Sequence, residues 1–377
     1  MLKAIQYFYT LRSVWAVLLA LVVGALFISL AGSNPVDAYY ALFEGAFFDY
    51  HGFSSTLVKM SPILLAGLAV VLPLRAGLFN IGAEGQIYLG ALFATIVSLY
   101  LPEMPAWLHV IAAIVAGMIG GALWALIPAI LKAYYGINEV IVTLLMNYVG
   151  INIVSFFVGG PMMEEGAPYP YSEEIREELW LPILMPGTDA HIGALIGLVL
   201  AVVMYLVFKF TTTGFSLNTV GINNKAAQYA GIQVRRHILV AMMCGGALAG
   251  LAGAIEVLGL KYRLFHLFSD GYGYDGIIVA FLAGLQPILV PISALFLSGL
   301  EAGSHIMQRA VGVDSTVVEA IRGLVVIFVA AGLAFRFDRT YWNNVLELRK
   351  KMKAAYHDQA FDDEEEDSMV QLKQEVK

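Results

Sequence analysis

A single cysteine, Cys244, in 377 residues excludes a disulfide within one chain and any cysteine-built metal centre. Charge is also scarce: Asp, Glu, Lys and Arg together make up 14% of the chain, against about 25% in an ordinary soluble domain. No glycine-rich loop ending in Lys-Ser or Lys-Thr occurs, so the chain does not bind ATP by that route, and the zinc motif HExxH is absent too. The seven histidines are scattered singly, as interface or loop residues are, rather than paired as ligands. Catalysis by this polypeptide is therefore not expected, nor is a bound metal, a resident cofactor or a nucleic-acid partner.

What fills the space is apolar. Hydrophobic residues reach 59% and the mean hydropathy is +0.75. Roughly 20 apolar residues cross a bilayer, and runs of that kind recur along nearly the whole chain. The pattern predicts an all-α polytopic membrane protein of about ten (8–10) spans, over 14–33, 57–73, 78–101, 106–131, 138–158, 191–210, 238–258, 275–286, 288–303 and 318–335. The first run exceeds the about 7–15 apolar residues of a signal peptide core and is read as a retained span. Two regions follow: a transmembrane domain over 1–335 and a basic-then-acidic tail over 336–377, whose LRKKMK cluster would be drawn to anionic lipid and whose DDEEED run is a solvated segment.

Placing both termini in the cytoplasm puts Lys3, Arg12, Arg75, Lys132, Lys209, Lys225, Arg235 and Arg236 on that face, and leaves Lys59, Arg176, Lys261, Arg263 and Arg309 for the other. The positive-inside bias selects this orientation. It sends 159–190 outward, a proline-bearing loop with seven acidic residues and one Arg. Such a loop is either simply solvated or a docking surface for an extracytoplasmic solute-binding protein.

Two spans are interrupted. Gly77, Gly82 and Gly90 punctuate GLFNIGAEGQIYLG, and Gly271, Gly276 and Gly284 punctuate GYGYDGIIVAFLAG, each glycine 194 residues from its counterpart. Gly-interrupted apolar segments at corresponding positions of two halves point to a midplane site between structural repeats. Lipid does not tolerate unsatisfied backbone or stray carboxylates, so the polar residues here should line protein or water. Phe79, Asn80, Glu84, Gln86 and Asn147 with Tyr272, Tyr274 and Asp275 are the candidates for a solute pathway. Glu84 has a second reading, as a brace at a helix end paired with Arg75, and Asn147 has one as a helix-to-helix hydrogen bond. Arg322, three residues after Glu319 on one helical face, is read as a surface-level ion pair.

On the cytoplasmic side, TTTGFSLNTVGINNKAAQYAGIQVRRH over 211–237 holds a short helix that Asn224 can cap and Gly231 can end, a knob for a cytosolic partner. RAGLFNIGAEGQ and GINNKAAQYAGI together resemble the permeases of bacterial ABC importers for branched-chain amino acids, simple sugars and nucleosides. INEVIVTLLMNY, TTTGFSLNTVG and GALAGLAGAIEVLG resemble most the nucleoside branch, which works with basic-membrane-protein-type lipoproteins.

The resemblance runs over about 57–335. It implies a type II importer-like permease in the bacterial cell membrane, driven by separate ATPase subunits that use the ATP, fed by a solute-binding lipoprotein and paired with a second permease. It also implies that Gly221, Asn224, Lys225, Ala226, Ala227 and Gly231 form an ATPase-coupling loop. Ala226, Ala227 and Gly231 match the AA-xxx-G part of the importer signature, with Lys225 where that signature has Glu. An ion-coupled carrier is the reading from another class, since a repeat and a membrane carboxylate suit it equally well.

Overall fold

The computed structural model describes residues 12–102 and 104–334. The described residues are helical, with no strand and only three isolated antiparallel bridges, all involving the 159–192 segment. In chain order the helices are α1 (Arg12–Leu30), α2 (Pro35–Phe47), α3 (Tyr50–Arg75), α4 (Ala83–Tyr100), α5 (Ala106–Tyr135), α6 (Glu139–Val158), α7 (Gly193–Phe210), α8 (Thr212–Ile222), α9 (Asn224–Tyr229), α10 (Val234–Glu256), α11 (Tyr272–Leu282), α12 (Val290–Val311) and α13 (Thr316–Ala334).

Six helices, one of them continued by the π-turn Val257–Lys261, are long and apolar enough to cross a bilayer; a seventh span arises if α1 and α2, bent by 119°, count as one. α2, which none of the expected spans includes, follows α1 after the Gly32 turn and is capped by Asn34. The tail over 336–377, and Lys3 among the residues used to orient the chain, lie outside the described residues.

α4 can carry polar side chains because it faces protein rather than lipid: Glu84, Gln86, Thr95 and Ser98 are all buried. It crosses α5 and α10 at backbone contact, since a Cβ on Gly90 would lie 2.2 Å from Gly250 Cα. The lipid-type surface is elsewhere. Leu195, Leu198, Val199, Val202, Val203 and Leu206 of α7, and Ile111, Val115, Ile119 and Leu123 of α5, are all exposed. Contiguous apolar exposure on this scale suits hydrocarbon and not water.

Two faces follow from the contacts. Tyr50, at the start of α3, donates through its hydroxyl to Pro186 O at 3.0 Å, and Ile175 N donates to Tyr262 O at 2.8 Å just beyond the end of α10. Both ends thus meet the 159–192 segment. At the far end of α3, Arg75 Nε donates to Asn218 Oδ1 of α8 at 3.0 Å, so the 211–237 segment lies on the opposite face. The acidic loop is shaped, as its prolines suggested: Ile175, Leu179 and Leu181 are buried beneath it, Trp180 stacks on Tyr262 at 3.8 Å, and Arg263 pairs with Glu164 and Glu174. Its Glu165, Glu173, Glu177 and Glu178 stay exposed.

Candidate solute pathway

The two interrupted segments meet. After α3 the chain leaves helix at Ala76, turns through Gly77 at φ +76°, and enters α4 only at Ala83. After α10 and its π-turn the chain runs without regular structure to Gly271, at φ +92°, and starts the 11-residue α11 at Tyr272. The N-termini of α4 and α11 face each other so closely that a Cβ on Gly273 would lie 2.3 Å from the backbone nitrogen of Glu84.

Glu84 is 2% exposed, and its Oε2 accepts from Gly273 N at 2.7 Å. Ser269 Oγ accepts from Gly271 N and Tyr272 N at 3.2 and 3.3 Å. A carboxylate and a hydroxyl thus satisfy the free N–H groups at the start of α11, where the helix dipole favours negative charge. Glu84 braces a helix end, as one of its two readings held, but the end is that of α11. Arg75 is not its partner: besides Asn218, that guanidinium lies over the Phe208 ring at 4.3 Å.

The remaining polar candidates hold the same junction. Asn80 Nδ2 donates to Gln86 Oε1 at 3.0 Å and Asn80 Oδ1 accepts from Gly82 N at 3.0 Å, locking the turn before α4. Asn147, midway along α6, accepts from Gly85 N at 2.9 Å and donates to Ile81 O at 2.9 Å and to the Tyr274 hydroxyl at 3.3 Å. It is therefore a helix-to-helix bond and also a neighbour of Tyr274. Asn80, Glu84, Gln86, Asn147 and Tyr272 are fully buried or nearly so. Tyr274 is 38% exposed, and Phe79 is partly exposed with its ring 5.9 Å from that of Phe281. Phe281 was missed in the sequence; its place one helix turn before the Gly284 break was the available signal.

Only the first pair of matched glycines occupies like structure: Gly77 and Gly271 both take positive φ ahead of a helix, but Gly82 precedes α4 whereas Gly276 lies inside α11, and Gly90 lies inside α4 whereas Gly284 follows α11 at φ +58°. For two of the three pairs, equal spacing in sequence is not equal placement in the fold.

Asp275, in the first turn of α11, pairs with Arg322 of α13, which also reaches Glu301 Oε2 of α12 at 3.4 Å. Lys59 of α3 completes the chain with Nζ 2.6 Å from Glu301 Oε1. The surface pair expected with Glu319 is thus replaced by a partly buried network that ties α3, α12 and α13 to α11. Residues i and i−3 share a helix face, but Arg322 gains more from two carboxylates shielded from water than from one at the rim. Deeper still, Tyr272 donates through its hydroxyl to Glu256 Oε1 at 3.2 Å, with Lys261 4.0 Å away.

At the opposite face, α9 is the predicted short helix over Asn224–Tyr229, followed by Gly231 at φ +79°. Its cap is Asn223 and not Asn224: Asn223 Oδ1 accepts from Lys225 N and Ala226 N at 3.0 and 3.1 Å. Ala227 is buried, while Lys225, Ala226 and Tyr229 are exposed.

A family model for the permease component of branched-chain amino acid transport systems matches residues 52–330. The chain belongs to this family. The permease is 37% identical over 328 residues to the guanosine ABC transporter permease protein NupP of Bacillus subtilis, covering 85% of this chain and 93% of that protein. It is 36% identical over 333 residues to the glucose ABC transporter permease protein TsgB13 of Haloferax volcanii, covering 86% and 87%. With the nucleoside ABC transporter permease protein NupB of Lactococcus lactis it shares 29% over 324 residues, covering 84% and 89%. It is thus a multi-pass membrane subunit of an ABC transporter, in a family whose members are permeases rather than enzymes.

Proposed function

We propose that this permease takes up nucleosides across a bacterial cytoplasmic membrane by alternating access, driven by separate ATPase subunits that seat α9. In this reading both termini are cytoplasmic, all ten apolar segments contribute to the membrane domain, and the 159–192 loop receives a solute-binding lipoprotein. A second permease subunit faces the Tyr274 surface.

The observation that carries the substrate assignment is the charge around Tyr274. Asp275 and Glu301 are taken by Arg322 and Lys59, and among the described residues no cation pairs with Glu84. Among the described residues the junction therefore holds no spare cation. An anion such as a nucleotide or sugar phosphate would find no positive partner to offset its desolvation there, whereas a neutral solute with an aromatic base needs none. Phe79, Phe281 and Tyr274 offer apolar and hydroxyl-bearing surface to such a base and its ribose. The similarity to guanosine and nucleoside permeases supports the same choice.

A simple sugar is the second reading, favoured by the glucose permease relative. The decisive experiment is uptake of radiolabelled guanosine in cells with and without the chain, with unlabelled nucleoside, glucose, leucine and nucleoside monophosphate as competitors and one ATP-depleted arm. Chain-dependent, ATP-dependent uptake blocked only by nucleosides is the expected result. Competition by glucose instead transfers the assignment to sugars; uptake that follows an ion gradient removes the ATPase-driven reading altogether.

A further inference from the structure

Between the cytosolic loop and the junction of α4 with α11, two backbones come into contact. A Cβ on Gly221, the penultimate residue of α8, would lie 2.2 Å from Arg75 O, and one on Gly77 would lie 3.1 Å from Gly221 Cα. Two side-chain contacts hold the same place: Arg75 Nε donates to Asn218 Oδ1 at 3.0 Å, and the Arg75 guanidinium covers Phe208 of α7. Gly77 opens the turn that carries Phe79 and leads at Ala83 into α4, whose second residue is Glu84, the brace of α11. On the other side, only Asn223 separates α8 from α9, and Asn223 is the cap of α9.

We infer that the Gly77–Gly221 contact, clamped by Arg75 and Asn218, relays movement of the cytosolic loop to the turn bearing Phe79, and so couples ATP use to solute passage. These four are positioning residues; none touches solute. The physical reason is stiffness. Side chains at van der Waals contact can change rotamer and absorb a small displacement, but two backbones in contact cannot, so a shift of α8 must move the Ala76–Gly82 turn. The turn in turn has little freedom of its own, because Phe79 N donates to Glu139 Oε1 at 3.4 Å, Ile81 N donates to Thr143 Oγ1 at 3.3 Å and Asn80 is bonded to Gln86. Displacement therefore passes to α4 and, through Glu84, to α11.

The inference rests on the ATPase-driven reading, and the test separates the two. The intact transporter, purified through a tag on this permease with its co-purifying subunits, is reconstituted in proteoliposomes, and guanosine uptake and ATP hydrolysis are measured in parallel. Asn218→Ala releases the clamp without steric conflict; Gly221→Ala wedges the backbones apart; Gly323→Ala, at an exposed glycine with nothing near its Cβ, is the control.

Asn218→Ala and Gly221→Ala should keep hydrolysis within about twofold of the parent while solute moved per ATP falls by about tenfold, the upper range for a residue that carries coupling without touching either ligand. A purely structural role would lower uptake, hydrolysis and recovered protein together. Wild-type stoichiometry in Asn218→Ala overturns the relay, whether or not Gly221→Ala assembles. If no ATPase co-purifies and uptake is indifferent to ATP in the parent itself, the ATPase-driven reading fails and the relay with it.

Discussion

Gly273→Ala is the substitution to which the junction is most sensitive. The added Cβ would lie 2.3 Å from Glu84 N, 2.6 Å from Glu84 Cα and 2.8 Å from Ala83 C, so its nearest neighbour is about 1 Å inside the 3.4 Å at which ordinary contact begins. All three neighbours are backbone and none can rotate away. α4 and α11 must part, which stretches the 2.7 Å bond from Gly273 N to Glu84. Leaving the buried Gly273 N–H without its partner costs about 1–3 kcal/mol, and overpacking a close-fitted interior costs about 1–3 kcal/mol. Alanine's helix propensity returns about 1 kcal/mol. The net loss is therefore about 1–5 kcal/mol.

Thermal unfolding of the detergent-purified transporter, followed by the fraction surviving size exclusion, reads this loss. At roughly 2 °C per kcal/mol for a large chain, the midpoint should fall by about 2–10 °C. Glu84→Ala should not rescue it, because the clash is with the Glu84 backbone. Gly284→Ala is the comparison. Its φ of +58° with nothing near the Cβ predicts backbone strain alone, about 1 kcal/mol. A Gly273→Ala protein that melts with the parent, or less affected than Gly284→Ala, refutes the close apposition of the two helix starts.

Arg322→Gln leaves Asp275 and Glu301 without their shared cation and should cost about 3–5 kcal/mol, the usual result of breaking one side of a buried pair; Arg322→Gln with Asp275→Asn should recover part of it, and strict additivity of the two in the same melting assay would deny the pairing. His191, in the loop before α7, is 2% exposed, and burial pushes its imidazole down to about 4. A depressed histidine adds stability that is complete above its unfolded value of about 6.5 and is lost as pH falls toward 4, at most about 3 kcal/mol at 1.36 kcal/mol per unit. The parent should therefore melt progressively lower between pH 6.5 and 4, and His191→Gln should flatten that slope; an unchanged slope assigns it to other groups. Asn147→Ala strips Gly85 N and Ile81 O of partners and should lower stability by about 2–4 kcal/mol, whereas Tyr274→Phe, losing one 3.3 Å bond, should leave stability nearly unchanged and act on guanosine uptake alone.

Helical class and the place of most spans were legible because apolar runs of bilayer length have few other uses. α2 was not, because its mixed PVDAYYALFEGAF pattern reads as neither a span nor a loop until α12 is there to cover Ala38 and Leu42. The polar residues of the junction were legible as a set: an interruption rich in Asn, Glu and Gln in an apolar segment must be satisfied somewhere. Their partners were not, since Glu84 and Gly273 are 189 residues apart and only the tertiary fold joins them. Local rules also erred by one position at α9, where Asn223 and Asn224 are equal candidates for a cap until backbone angles choose, and at Arg322, where helical spacing favoured Glu319 over carboxylates on other helices.

The satisfied state of the junction bears on what the pathway can recognise. Asn80 and Gln86 spend their amides on each other and on the turn, Asn147 spends its amide on two backbones and Tyr274, and Glu84 caps α11. A hydrogen-bonding group already committed to scaffold gives a solute little, because a new bond must break an old one. Under the proposed function, what is left to face the solute is the aromatic surface of Phe79, Phe281 and part of Tyr274, which would hold a planar base weakly and read few of its edges. A passage built this way would tolerate several nucleosides, release them readily, and place fine discrimination on the protein that delivers the solute. It follows that changing Phe79 or Phe281 to alanine should alter the rate of uptake for all nucleosides alike, and a change in their order of preference would place recognition in the permease after all.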